Sequence, residues 1–333
     1  MMVLGSDAAE GLISRSLVWD SHSGFMPDPA ADLTNLSLWR NAGVDFLSIN
    51  VGFDLLPWHA AIATLAAFRH WIRQHRTEYI LVEQFADVAL ARNSGRMAVA
   101  FDLEGMTAIN GRIEMLEMFR DLGVRQILFA YNRNNMAGGG CHDDDCGLTS
   151  FGAAVIEEMN RLGITVDLSH TGYRTSMAAM ERSAKPVIFS HSNAAALHGH
   201  GRNIADEQIR ACAAGGGVVG LVGVSLFLGG NAAAPTRLAD HIEYVSDLAG
   251  PAHVGLGSDF AFPVEFENIE KIIADNPEFW PPDQGYEDHA VKFFSPAQLG
   301  ELVEELLRRG RPEAEIAGFL GGNFARVSEL NWG

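Results

Sequence analysis

Short apolar runs recur along this chain, and most give way to a segment whose apolar positions fall at helical spacing. Runs at residues 17–19, 44–51, 97–103, 124–130, 164–168, 186–189, 218–224 and 253–257 predict eight strands. Helical patterns at 58–76, 82–92, 113–122, 151–162, 173–183, 206–214, 236–248 and 296–309 lie between and after them. Runs without polar alternation are what parallel strands buried on both faces require, and helices are the usual crossovers between such strands. Eight strands, each followed by helix, predict an α/β fold, a closed (β/α)8 TIM barrel. An open doubly wound sheet is the alternative. No linker, internal repeat or low-complexity tract interrupts the pattern, so one domain over residues 1–333 is expected, with a helical excursion at 266–293.

The stretch 163–193 organises the rest. Its two strands each end in Ser-His, at His170 and His191, with one helical segment between them. A crossover would set the strands side by side and bring both imidazoles to the carboxyl ends of the strands, where barrels of this kind build their sites. Other residues with chemistry fall at strand ends too: His22 after the first, Glu104 in FDLEG, Tyr131 after ILFA, and Asp259 in GLGSD. A ring gathers these ends round one mouth; an open sheet would spread them along an edge. His22, Glu104, His170 and His191 form a metal-site set, because neutral imidazole and carboxylate suit Zn²⁺. Such an ion lowers the pKa of a coordinated water toward ~7, and Asp259 is placed to take the proton.

Composition narrows the possibilities. A net charge of −18 and the lack of a basic cluster argue against a nucleic-acid partner. Three cysteines, with Cys141 and Cys146 close together, make no disulfide framework. No signal-peptide pattern or long apolar run is present, so no membrane association and a cytoplasmic enzyme are expected. Lysine occurs only at 185, 271 and 292, so no carbamylated lysine at the fourth strand can bridge metals, and Glu104 is left for that task.

These motifs, in this order, resemble the renal or membrane dipeptidases, zinc peptidases of family M19 in the amidohydrolase superfamily. The likeness runs from WDSH to GGNFARV. It implies metal ligation by His22 in DSHSG, Glu104 in LEGM, His170 in VDLSH and His191 in FSHSN, and a catalytic Asp259 in GLGSDF. It also implies that Arg202 in HGRN, with Asn203 beside it, binds a substrate carboxylate. The family likeness further suggests a homodimer.

Two positions depart from the family pattern. Gly24 stands where the family has a metal-binding aspartate, so one of two expected Zn²⁺ positions loses an anionic ligand. Tyr131 stands where the family has a histidine, and would offer its phenol to the substrate in catalysis. Asp20 is expected to support His22 from behind, and Cys141, His142 and Asp143 in CHDDDC are candidates for support or substitute ligation. The expected function is metal-dependent hydrolysis of a dipeptide or similar small amide with a free carboxylate. The alternatives are a non-peptide amide on the same barrel, or a binding homologue without catalysis.

Overall fold

The computed structural model describes residues 7–24, 26–230, 232–261, 266–287 and 291–332. Among the described residues, nine strands form one parallel sheet: β1 Trp19–Ser23, β2 Phe46–Phe53, β3 Tyr79–Leu81, β4 Met97–Glu104, β5 Val124–Leu128, β6 Thr165–Asp167, β7 Ile188–Phe189, β8 Val218–Leu221 and β9 Val254–Leu256. Eight of them close into a (β/α)8 barrel. β2 pairs with β4, matching Leu47 to Val99, and β1 meets β9 where Asp20 faces Leu256. The ninth, β3, lies outside the ring, hydrogen-bonded along the first residues of β4.

Burial on both faces is complete along β2 and β4, so their Val, Ile, Leu, Phe and Ala side chains fill either the barrel or the layer under the helices. Helix boundaries follow local chemistry. Thr149 caps Ser150–Leu162 by accepting from the Gly152 amide, and Gly163 ends it in the left-handed region at φ 74. Pro235 opens the helix Pro235–Ala249, where its missing N–H costs nothing.

The amino-terminal mouth of the barrel is plugged. Trp19 stacks on Phe46 with ring centroids 3.6 Å apart, and Trp332 of the closing helix Asn323–Trp332 lies 5.6 Å from Trp19. Phe324 of the same helix presses between β8 and β9, where a Cβ on Gly255 would come within 2.3 Å of its ring. The opposite mouth is thereby left for chemistry.

Some boundaries differ from the pattern-based expectation. β1 begins at Trp19 rather than Leu17 and runs through Ser23, so Asp20 and His22 lie inside the strand. Polar side chains aimed at the barrel axis break an apolar run without breaking the ladder. Residues 79–81 form β3, a strand too short for periodicity to detect, and the helix after it starts at Ala86 instead of Val82. The 266–293 excursion is helical over Phe266–Asp275 and continues as turns and the 3-10 helix Pro282–Gln284, with residues 288–290 outside the described part. The expected helix at 296–309 is α-helical over Leu299–Arg308, and among the described residues two further helices follow it, Glu313–Ala317 and Asn323–Trp332. Among the described residues, no helix is long and apolar enough to cross a membrane.

Candidate metal centre and active site

Parallel strands deliver five of the expected residues to the carboxyl mouth. His22 sits near the end of β1, Glu104 ends β4, and His170 and His191 follow β6 and β7 by a few residues. Asp259 follows β9, tied back to β1 by its own amide, which donates to His22 O at 3.0 Å. Glu104 is the hub. Its Oε1 lies 3.5 Å from His22 Nε2, 3.4 Å from His170 Nε2 and 3.5 Å from His191 Nε2. Two donors held ~2.0–2.1 Å from one tetrahedral zinc are roughly 3.4 Å apart, so these separations suit a shared cation. His22, Glu104 and His191 group their ligand atoms within 4.8 Å of one another.

The neutral state of His170 and His191 suits a metal as well. His170 Nε2 faces His191 Nε2 at 2.9 Å. Burial holds both imidazoles well below the ordinary histidine range, so both are neutral. Their other ring nitrogens are engaged, His170 Nδ1 with Asn132 Oδ1 and His191 Nδ1 with Ser190 Oγ, each at 2.7 Å. Burial raises Glu104 to about 8, partly offset by His22. For His22 burial works the other way, but Asp102, Glu104 and Asp259 together lift it to about 10. A site that holds carboxylates and an imidazole this far from their ordinary values lacks positive charge, and a divalent cation would supply it.

The support behind these groups differs from expectation at one point. Asp20 does not brace the His22 ring. It accepts from Trp39 Nε1 at 2.9 Å, Ser258 N at 2.8 Å and Ser258 Oγ at 2.5 Å, and so fixes the turn that carries Asp259. The carboxylate beside His22 Nδ1 is Asp102, 3.3 Å away across the sheet and held by Ser48 Oγ. A side chain at Gly24 would find its direction filled: a Cβ there would lie 2.8 Å from Asp259 Oδ1 and 3.0 Å from Asp259 O. Asp259 occupies that ground, with its Oδ1 3.7 Å from His22 Nε2 and its pKa raised by burial. His170 and Asp259 both have positive φ, 61 and 52, a costly conformation that their surroundings must hold in place.

Arg202 is 2% exposed. Its Nη2 donates to His191 O at 3.2 Å, and its guanidinium lies 5.4 Å from the centre of the Phe227 ring. Its Nε and Nη1 have no hydrogen-bond partner among the described residues. Asn203 is turned away, donating to His198 O and Phe227 O, and thus fastens the loop that bears Arg202. Tyr131 stacks on His170 with centroids 4.3 Å apart. Together with Gly24, Met26, Pro27, Phe53, Glu104, Asp259 and Trp280 it lines a cavity of about 140 Å³. The CHDDDC residues are engaged elsewhere: Cys141 Sγ with Asn132 Oδ1, His142 Nε2 with Tyr286 OH at 2.7 Å, and Asp143 with Arg133 and the Asn134 amide.

Asp102 and Asn132 were not singled out from the sequence. Asp102 does sit two residues before Glu104, on the same strand face, which is a signal that alternation could have used.

A parallel barrel with histidines and acids converging at its carboxyl mouth is the architecture of an amidohydrolase-type metalloenzyme. The chain belongs to the membrane dipeptidase family, peptidase family M19, whose model matches residues 31–274. It is 34% identical over 242 residues to a dipeptidase of Aspergillus oryzae, covering 70% of this chain and 51% of that protein. An uncharacterised dipeptidase of Schizosaccharomyces pombe is 39% identical over 185 residues, 53% of this chain and 44% of that one. The chain thus spans about half the length of these curated relatives. Among solved structures, an amidohydrolase from Pseudomonas aeruginosa superposes with a TM-score of 0.87 at 28% identity, covering 97% of this chain and 99% of the other. A metallopeptidase from Rhodobacter sphaeroides, bound to a phosphinate mimic of L-Ala-D-Ala, shares the fold with a TM-score of 0.77 at 20% identity, over 95% of this chain and all of the other.

Proposed function

We propose that this protein is a metal-dependent hydrolase that cleaves a dipeptide, or a similarly small amide, carrying a free carboxylate. The observation that carries the reading is the meeting of three histidine Nε2 atoms within 3.4–3.5 Å of one Glu104 oxygen, at the mouth of a family M19 barrel. His22, Glu104, His170 and His191 would hold Zn²⁺, in one or two positions. A bound Zn²⁺ would polarise the scissile carbonyl and make water nucleophilic at neutral pH.

The remaining chemistry falls to the chain's own side chains. Asp259, buried beside His22, is suited to take the proton from the attacking water and pass it to the leaving amine. Arg202 offers two unpartnered nitrogens, Nε and Nη1, to a carboxylate, which would offset the guanidinium's burial. Tyr131 keeps its proton, because burial raises its phenol further above an already high ordinary value, and can donate to the carbonyl oxygen. Phe53, Met26 and Trp280 exclude water from the cavity where the bond is cut.

The test is metal analysis with matched substrates. Protein purified without chelators should hold at least ~1 equivalent of zinc and hydrolyse dipeptides, with activity lost on chelation and regained with Zn²⁺. Zinc-bearing protein that turns over no dipeptide but cleaves another amide would exclude the dipeptidase reading, and protein that binds no transition metal would exclude the hydrolase reading altogether.

A further inference from the structure

Behind His170 stands Asn132, fully buried and in the left-handed region at φ 61. Its side-chain amide is held at both ends. Oδ1 is 2.7 Å from His170 Nδ1, and Nδ2 donates to the carbonyl oxygen of Phe279 at 2.8 Å. A carbonyl oxygen can only accept, so Phe279 keeps the amide nitrogen on its own side and turns Oδ1 toward the imidazole. The thiol of Cys141 donates to the same Oδ1 at 3.4 Å, which agrees with that orientation. An amide oxygen also only accepts, so the proton of His170 lies on Nδ1 and Nε2 is a bare lone pair. That lone pair points toward Glu104 and His191.

Phe279 belongs to the strap 276–287, which lies over the mouth. Trp280 of this strap lines the cavity, with its ring centroid 5.9 Å from that of Tyr131. Arg133, next to Asn132, adds a bond from Nη1 to Glu278 O at 3.1 Å. Further along, the strap is tied to the loop of Arg202: His200 Nε2 meets Gln284 O at 2.9 Å, and the Gly201 amide donates to Gln284 Oε1 at 3.0 Å.

We propose that Asn132 is a positioning residue that links the strap over the cavity to the imidazole of His170. Through one amide it pins Phe279 and sets which nitrogen of His170 is free for a metal. The two effects are coupled by the amide's asymmetry. If the strap lifts, the amide is free to flip and present its NH₂ to His170 Nδ1, which moves the ring proton to Nε2 and blocks that atom as a ligand. The strap therefore favours metal binding only when it is seated, and a bound cation, by requiring the Nδ1–H tautomer, favours the seated strap. This rests on the metal-centre reading given above.

Two variants separate the halves. Asn132→Gly removes the side chain and accepts φ 61 without strain. Asn132→Asp has the same shape and still accepts from Nδ1–H, but sets an oxygen against Phe279 O. Zinc affinity by chelator competition and amide hydrogen exchange across 276–287 are the two readouts. In Asn132→Gly zinc should bind about 10–100-fold more weakly and the strap should exchange faster. In Asn132→Asp zinc affinity should stay within about threefold of the parent while the strap again exchanges faster. Asn132→Gly with parental zinc affinity, or parental strap exchange in either folded variant, would overturn the proposal. Should the glycine variant not fold, the isosteric Asp variant decides alone: it must expose the strap and keep its zinc. A parent protein that binds no zinc would instead defeat the metal-centre reading, a result told apart by the unsubstituted control.

Discussion

Gly24 and Asp259 compete for one volume: a Cβ on the glycine would lie 2.8 Å from the aspartate's Oδ1 and 3.0 Å from its carbonyl oxygen. A side chain at position 24 therefore displaces the acid proposed to move the proton. Gly24→Ala should lower kcat at least ~10-fold, since the clash falls on both the carboxylate and the backbone carbonyl of Asp259 and moves the acid from its place. Steady-state kinetics beside thermal melts check this, and a kcat within a factor of about two of the parent would show that Asp259 is not held by this contact.

Arg202 is the second point of leverage. Replacement by alanine should raise KM for substrates with a free carboxylate ~10–100-fold, the worth of a charge-assisted bidentate contact, and leave amidated substrates nearly unchanged. Arg202→Lys should restore little, because an ammonium cannot both reach His191 O and present two donors. Equal losses on acid and amide substrates would point to collapse of the loop instead.

His241 predicts a pH dependence of stability away from the site. It is wholly buried, with Nδ1 accepting from the Ala194 amide at 3.3 Å and Nε2 facing Leu228 O at 3.4 Å, so only the neutral ring satisfies both neighbours. Burial pushes its pKa down to about 4. The unfolded chain, with an ordinary value of ~6.5, binds the extra proton first, so this contribution is complete above ~6.5 and is lost as pH falls toward ~4. His241→Gln should flatten the fall of Tm over that window. An unchanged slope would exclude His241 as the group responsible.

At the far mouth, Phe324→Ala should cost about 3–5 kcal/mol in urea unfolding, because the buried ring fills the space against Gly220 of β8 and Gly255 of β9. KM should not move, as the candidate site lies at the opposite rim, at the carboxyl ends of the strands. A loss below ~1 kcal/mol would mean that the plug is dispensable.

The ring of strands and most of the site could be read from the chain because both follow from local repetition. The strand endings at His170 and His191 and the buried acid of FDLEG are each visible within a few residues. What stayed hidden depends on register between strands. Alternation along one strand pairs Asp20 with His22, whereas the carboxylate that meets His22 Nδ1 is Asp102 of β4, brought across β2, whose pairing with β1 shifts between Asp20 and Ser23. No periodicity records such a shift. Asn132 was invisible for a related reason: its partners, His170 and Phe279, are 38 and 147 residues away. β3 escaped because a three-residue strand offers too few positions for any pattern.

The plug of Trp19, Phe46, Phe324 and Trp332 also bears on how the chain reaches this state. β1 waits for the helix Asn323–Trp332 to cover its aromatic end, so during synthesis these rings stay bare until that distant helix has emerged. That interval is when the nascent protein would be most prone to clump or to need a chaperone, and fusions that strain the final helix should lower soluble yield before they touch turnover.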